Sequence, residues 1–348
     1  MQRNLYQLEL ENDSYERKLA VLEYGGYLPL ELNEDMDYYS ERYSVFKLNS
    51  GRAALAVAII ENKIKKLWIP YYNCSVVYKM LNQFCNCQFY YLDHNLNPMI
   101  DKLEEDEWIL IVNYFGNRKN SELIELKKIY KRIIIDNTQG FFAEPISDCF
   151  NVYSCRKFFG VSDGAYLITD KEYKFKSTFK KDISWKRCSY LMRSIEEGTN
   201  SAYLDSLLSE ENIGYNIYEM SRLTDQIMKS INYTKVLRKR RNNQRILKEE
   251  LDEINQISVR INSEDLIAYP LLIKNEEFRM ELIKNKIYVP QWWKYLKEIV
   301  KKDSIEYEMS SYLTMIPLDQ RYEEKDIYDM IKLIKNILAN SCICNNEA

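Results

Sequence analysis

Apolar residues in the first half of the chain fall into short, nearly continuous blocks, each ending in a polar turn that opens a helical pattern. "YSVFKL" runs into Asn49–Ser50–Gly51, and the Ala-rich "RAALAVAIIENK" follows with apolar residues on every face. "KLWIP" repeats the theme, with a helix expected from near Ser75. "QFYYLD", "WILIVNYFG", "RIIIDNTQG", "NVYS" and "GAYLITD" read as further strands, several of them apolar at consecutive positions, as in strands buried on both faces. With helices such as "SELIELKKIYK" between them, this alternation predicts an α/β fold around a mainly parallel sheet.

The second half reads differently. From about Tyr218 to Asn255 the chain is polar on one side and almost free of helix breakers, which predicts one long helix or a pair. The run Arg238–Arg241 within it reads as a solvated face balanced by Glu249, Glu250 and Glu253 rather than as a nucleic-acid patch. "AYPLLIK", "FRMELIKNKIYVP" and "EKDIYDMIKLIKNILAN" then form a smaller α/β unit.

Composition narrows the partners. The chain has 348 residues, 46% of them hydrophobic, enough for a sizeable core and about two domains. A net charge of −3 supplies no basic field for nucleic acid or an anionic membrane, so neither is expected as a partner. The N-terminus has no apolar signal core, and a cytoplasmic location is expected. Eight scattered cysteines and one histidine, His94, argue for reduced thiols and against a zinc site. His94 lies in "YYLDHNLNP", a strand end entering a turn. Histidine-based nucleophilic catalysis therefore has little to draw on, and acid–base work falls to lysine, carboxylate, tyrosine or a cofactor.

The residues immediately after the strands carry the chemistry, because ligands of open parallel sheets bind at the strands' carboxyl ends. Ser50 with the amides of Gly51 and Arg52 stands at a helix N-terminus, which suits a phosphate. Asp136 closes one strand, where it faces a ligand cation or caps a turn through Asn137 and Thr138. Lys157 follows another strand, beside Phe158 and Phe159, which as packing residues would exclude water and lower its pKa. Only 9 glycines occur, where about 7% is usual, and Gly51, Gly116, Gly140, Gly160 and Gly164 all sit at or just beyond strand ends. An anion cradle, a carboxylate and an amine are what pyridoxal 5'-phosphate requires: an anchor, a partner for the ring nitrogen and a lysine to carry the aldehyde.

At these residues the chain resembles the DegT-type sugar aminotransferases among the fold-type-I pyridoxal-phosphate enzymes. The resemblance rests on "SGRAAL", "IPYYNCSVV", "IIIDNTQG", "KFFGVSDGAYLITD" and "IPLDQRY". It implies a large cofactor-binding α/β domain over residues 1–217, with helices on both faces of the sheet, and a long helix with a small C-terminal domain over 218–348. Residues 1–40 would pack on the small domain. It implies Lys157 as the cofactor-bearing lysine, Asp136 as partner of the pyridine nitrogen, Gln139 as a ring contact, and Ser50, Gly51, Arg52 and Ser154 around the phosphate. It further implies a homodimer with interfacial sites, using the segment 171–213, and amino transfer from glutamate to a keto sugar linked to a nucleotide, in surface glycan synthesis.

The departures from the family pattern bear on substrate. Arg52 stands where the family has Thr, Asp163 replaces a Glu, and Ser154 precedes Lys157 by three residues, as in other fold-type-I aminotransferases. The ring-stacking aromatic falls on Cys74, with Tyr72 and Tyr71 beside it. "GYNIYEMS" is one residue longer than its counterpart, in which Asn216 would reach a partner subunit's phosphate. Arg156 and Arg321 are the candidates to grip a donor carboxylate, and Trp292 and Trp293 line a substrate entrance or join two domains. A non-catalytic binding or regulatory protein on the same fold, or a pyridoxal-phosphate enzyme of another reaction type, stays open.

Overall fold

Six of the seven strands of the main sheet run in one direction, and that shared direction decides where the site forms. The computed structural model describes residues 30–33, 36–39 and 42–344. The strands are β1 (Tyr43–Leu48), β2 (Lys66–Pro70), β3 (Asn86–Tyr90), β4 (Trp108–Val112), β5 (Ile133–Asn137), β6 (Phe150–Ser154) and β7 (Ala165–Asp170), in the spatial order β1-β7-β6-β5-β4-β2-β3. The pairs β2/β3, β2/β4, β4/β5 and β5/β6 are parallel. Only β7 is reversed; it pairs antiparallel with β6 and β1, which leaves β1 aligned with the rest. The carboxyl ends of β1, β2, β4, β5 and β6 therefore gather along one edge. The mainly parallel α/β expectation holds.

Burial follows the sequence pattern. Every residue of β5 and β6 is buried, as continuous apolar strands covered on both faces require. Helix α1 (Gly51–Asn62) is buried from Ala53 through Ile59, and its alanines let the backbone lie close against the sheet. It opens on Ser50, whose hydroxyl accepts from the Ala53 amide at 3.2 Å, and closes on Lys63 in the left-handed conformation. Helices α2 (Ser75–Leu81) and α3 (Asn120–Tyr130) fall where the pattern places them.

The segment after β7 contains two helices, α4 (Ser189–Glu196) and α5 (Tyr203–Ile213). The long polar stretch resolves into a pair, α6 (Arg222–Lys229) and α7 (Tyr233–Leu251), divided where Asn232 caps α7 by accepting from Lys235 N at 2.9 Å. Strands β8 (Tyr269–Leu272) and β9 (Leu313–Ile316) form a two-stranded antiparallel sheet beside α7, followed by α10 (Glu324–Cys344) after the shorter α8 (Phe278–Lys284) and α9 (Ile305–Tyr312). The expected packing of residues 1–40 lies largely outside the described residues; Tyr38 and Tyr39 pack on Phe141, with Tyr39 also against Tyr153. Among the described residues no helix is long and apolar enough to cross a membrane.

One expectation fails within α7. The run Arg238–Arg241 is not wholly a solvated face, because Arg240 is fully buried. Its guanidinium donates to the carbonyls of Leu266 (3.0 Å) and Ile267 (2.7 Å) and to Gln320 Oε1 (3.2 Å), and lies 4.8 Å from the Phe158 ring centroid. Burial without a hydrogen-bonded carboxylate pulls its pKa down to about 10, still cationic near neutral pH. Gln320 Nε2 in turn donates to Phe158 O at 2.8 Å, so "IPLDQRY" and α7 together hold the residue next to Lys157.

Candidate active site

The aligned strand ends build a cleft of about 210 Å³ lined by Ser50, Gly51 and Arg52 after β1, Asn73 and Cys74 after β2, Asp136 in β5 with Thr138 and Gln139 after it, and Ser154 at the end of β6 with Arg156 and Lys157 after it. Four separate stretches of sequence thus meet at one edge of the sheet. Trp293 and Glu210 complete the wall.

Lys157 is the amine of this cleft. It reaches solvent across the opening, and its Nζ donates to Thr138 Oγ1 at 3.1 Å. Protein surrounds the ammonium closely enough that lost hydration lowers its pKa below the usual lysine value, against the pull of Asp136, Cys74 and Glu210 and with a small push from Arg156. The flanking Phe158 and Phe159 are buried in a cluster with Phe141 and Phe142.

Asp136 caps the turn and also stands in the cleft wall. It is buried, lines the cleft, and accepts from Thr138 N at 2.9 Å through Oδ1. Gln139 also lines the cleft, yet its Oε1 takes the Phe115 amide at 2.7 Å and so steadies a turn in which Phe115 has φ 63°. Gly116 must be glycine there: with φ +76°, a Cβ would stand 2.7 Å from the Gln139 carbonyl. At the cradle, a Cβ on Gly51 would meet the Thr138 methyl at 2.9 Å, so glycine allows the helix start to approach β5. Ser154 is buried at the end of β6, and its hydroxyl has no hydrogen-bond partner among the described residues.

Arg52 and Arg156 share one carboxylate. Arg52 Nη1 lies 3.2 Å from Glu210 Oε1, Arg156 Nη2 bonds Glu210 Oε2, and Arg52 Nε donates to Gly214 O at 2.8 Å. Burial alone would push the Glu210 carboxyl up, but the two guanidiniums, Arg156 foremost, hold it below the usual carboxylate range.

Tyr71, Tyr72, Asn216 and Arg321 do not line this chain's own cleft. Tyr72 is fully buried behind the cleft wall, its ring edge-on to Trp293 at 4.5 Å and tilted against Tyr114 at 5.6 Å. Tyr71 stacks on Phe89, so the side chains facing the cleft at this level are Cys74 and Trp293. Asn216 is exposed and outside the lining of its own chain's cleft, its carbonyl accepting from Asn49 Nδ2 at 3.3 Å. Arg321 is likewise absent, held by Asp319 at 2.7 and 2.8 Å. Sequence reasoning missed Glu210, which no local pattern marks.

A larger cavity of about 540 Å³ elsewhere contains none of these groups, and its half-buried Arg118 is already bound to Asn97 Oδ1 at 3.0 Å and the Leu96 carbonyl. Among the described residues no group of histidine, cysteine and acidic side chains could hold a metal ion.

Solved structures share this arrangement of elements. A DegT DnrJ EryC1 StrS aminotransferase from Brucella abortus superposes over 84% of this chain and 85% of its own, with a TM-score of 0.57 at 13% identity. DesV from S. venezuelae, in complex with a ketimine intermediate, covers 84% of each chain with a TM-score of 0.59 at 12% identity. NtdA from Bacillus subtilis, with bound cofactor PMP, covers 85% of this chain and 73% of its own with a TM-score of 0.58 at 12% identity. The chain has the sugar-aminotransferase fold. No protein-family model and no curated protein sequence matches it. The fold resemblance drawn from "SGRAAL", "IIIDNTQG" and "KFFGVSDG" is thus shared by the architecture as a whole.

Proposed function

We propose that the chain is a pyridoxal-phosphate-dependent aminotransferase. The observation that carries this reading is the convergence, at one sheet edge, of the Lys157 amine, a buried carboxylate and a helix N-terminus with an unclaimed serine hydroxyl beside it. These residues fit the cofactor. The amides of Gly51 and Arg52 and the hydroxyls of Ser50 and Ser154 would hold its phosphate, Asp136 the ring nitrogen, and Cys74 and Trp293 the ring faces. Bound pyridoxal phosphate supplies an aldehyde for primary amines and a ring that withdraws electrons from the adjoining carbon.

The chain's own residues do the rest. Lys157, its pKa lowered, would hold the cofactor through its amine and, once displaced by the substrate's amine, would move a proton at the substrate's α-carbon. Asp136 would keep the ring nitrogen protonated, and Thr138 positions the lysine amine. Glutamate as donor and a keto sugar on a nucleotide as acceptor, within surface glycan synthesis, are the substrates we favour by likeness to the sugar aminotransferases. Arg156, in the cleft wall, is the better placed of the two arginines for the donor carboxylate.

A homodimer accompanies this reading. Helices α4 and α5 and the segment before them leave Ile183, Trp185, Met192, Ile195, Leu204 and Leu208 mostly exposed, a large apolar surface for a monomer. Asn216 follows α5 closely and would then serve the partner's cleft.

Absorbance tests the chemistry. Protein supplied with pyridoxal phosphate should turn yellow and shift to the pyridoxamine form on adding glutamate. Yellow protein inert to every amino donor would favour a binding protein, and colourless protein would reject the reading.

A further inference from the structure

Arg52 and Arg156 are fixed, and the anion between them is not. Their side chains are only 10% and 18% exposed, whereas that of Glu210 is 49% exposed. Arg52 is anchored independently of Glu210, by the Gly214 carbonyl and by the Tyr215 ring, whose centroid lies 5.8 Å from its Cζ. Arg156 Nε is buried with no hydrogen-bond partner, so the site holds a donor that Glu210 leaves unused. Ser154 brings its hydroxyl to the same cleft, and Gly51 and Arg52 open α1 there with first-turn amides that lack helical acceptors. Two nearly buried guanidiniums served by one half-exposed carboxylate, with donors left over, make a site that a ligand oxyanion reaching those donors fills better than Glu210 does.

We infer that Arg52 and Arg156 form an oxyanion site at the mouth of the cleft, and that Glu210 is its stand-in occupant, displaced when a phosphate or carboxylate group of a ligand arrives. Glu210 keeps two like charges from facing each other in an empty cleft and leaves when a better-matched anion competes. The geometry needs no cofactor, but the inference deepens the aminotransferase reading: the arriving group would be the phosphate of the cofactor or the carboxylate of the donor.

The test is calorimetric titration of cofactor-free protein with inorganic phosphate and, separately, with acetate. Glu210→Gln keeps the shape and removes the competing charge, so phosphate affinity should rise by about tenfold. Arg52→Ala and Arg156→Ala should each weaken it. A gain for phosphate but not acetate marks a phosphate site; a gain for acetate marks a carboxylate site, and either supports the inference. If Glu210→Gln leaves oxyanion affinity unchanged or weakens it, Glu210 is a strut that orients the arginines and the inference fails. Melting of the variant without ligand checks that this half-exposed position leaves folding intact. Phosphate affinity that rises in a chain unable to take up pyridoxal phosphate would sink the aminotransferase reading alone; uptake without the rise would sink only this one.

Discussion

Lys157 and its surroundings set the behaviour at the residue scale. Because desolvation lowers its pKa, the neutral amine appears at lower pH than for a solvated lysine, and reactivity should rise as pH climbs through the lowered value. The unfolded chain binds the proton more tightly over the window between that value and the usual 10.5, so this group's contribution to stability increases with pH there. Trinitrobenzenesulfonate labelling followed by peptide mass analysis should give a lower midpoint for Lys157 than for exposed Lys128. Asp136→Asn removes the largest attraction holding the proton and should move the Lys157 midpoint lower still; a higher one would contradict the arrangement. The sequence marked Lys157, Asp136 and Ser50 through their places after strands, which backbone geometry alone enforces. It gave no sign of Glu210, whose partners Arg52 and Arg156 lie far off along the chain, nor that Tyr72 turns inward while Trp293 takes the wall.

At the scale of elements, the strands were legible because burial on both faces leaves continuous apolar runs, as in "RIIID" and "WILIV". The reversal of β7 was not, since side-chain periodicity is the same in either direction. Arg240 was misread for a related reason: α7 shows a polar repeat, and only the carbonyls of Leu266 and Ile267 turn one arginine inward. Arg240→Ala should therefore cost about 3 kcal/mol or more, through a cavity and two deprived carbonyls. Arg238→Ala, on the exposed side, should stay within about 0.5 kcal/mol. Urea unfolding of both variants checks this, and equal effects would refute the burial. Asp163, fully buried, accepts from Ser221 N and Oγ, both at 2.8 Å, and from the Thr224 hydroxyl, tying the start of β7 to α6. Asp163→Ala should destabilise by about 3 kcal/mol, with part of the loss restored by Asn, in the same assay.

For the whole molecule, the apolar surface on α4 and α5 is the feature that a single chain does not explain. Weak regular pattern in 171–213 concealed the two helices there. If that surface joins two copies, Leu204→Glu with Leu208→Glu should convert a dimer to a monomer in analytical ultracentrifugation while far-ultraviolet circular dichroism stays unchanged. A wild-type chain that sediments as a monomer across micromolar concentrations would count against the shared-site arrangement, and with it the part proposed for Asn216.

The central claim is that the sheet edge holds pyridoxal phosphate on Lys157. Incubation with pyridoxal phosphate, reduction with borohydride and mass mapping of the digested protein tests it most directly. The account predicts a single stoichiometric pyridoxyl adduct on Lys157, absent from Lys157→Ala. Labelling spread over surface lysines, or an adduct that persists in Lys157→Ala, would contradict it.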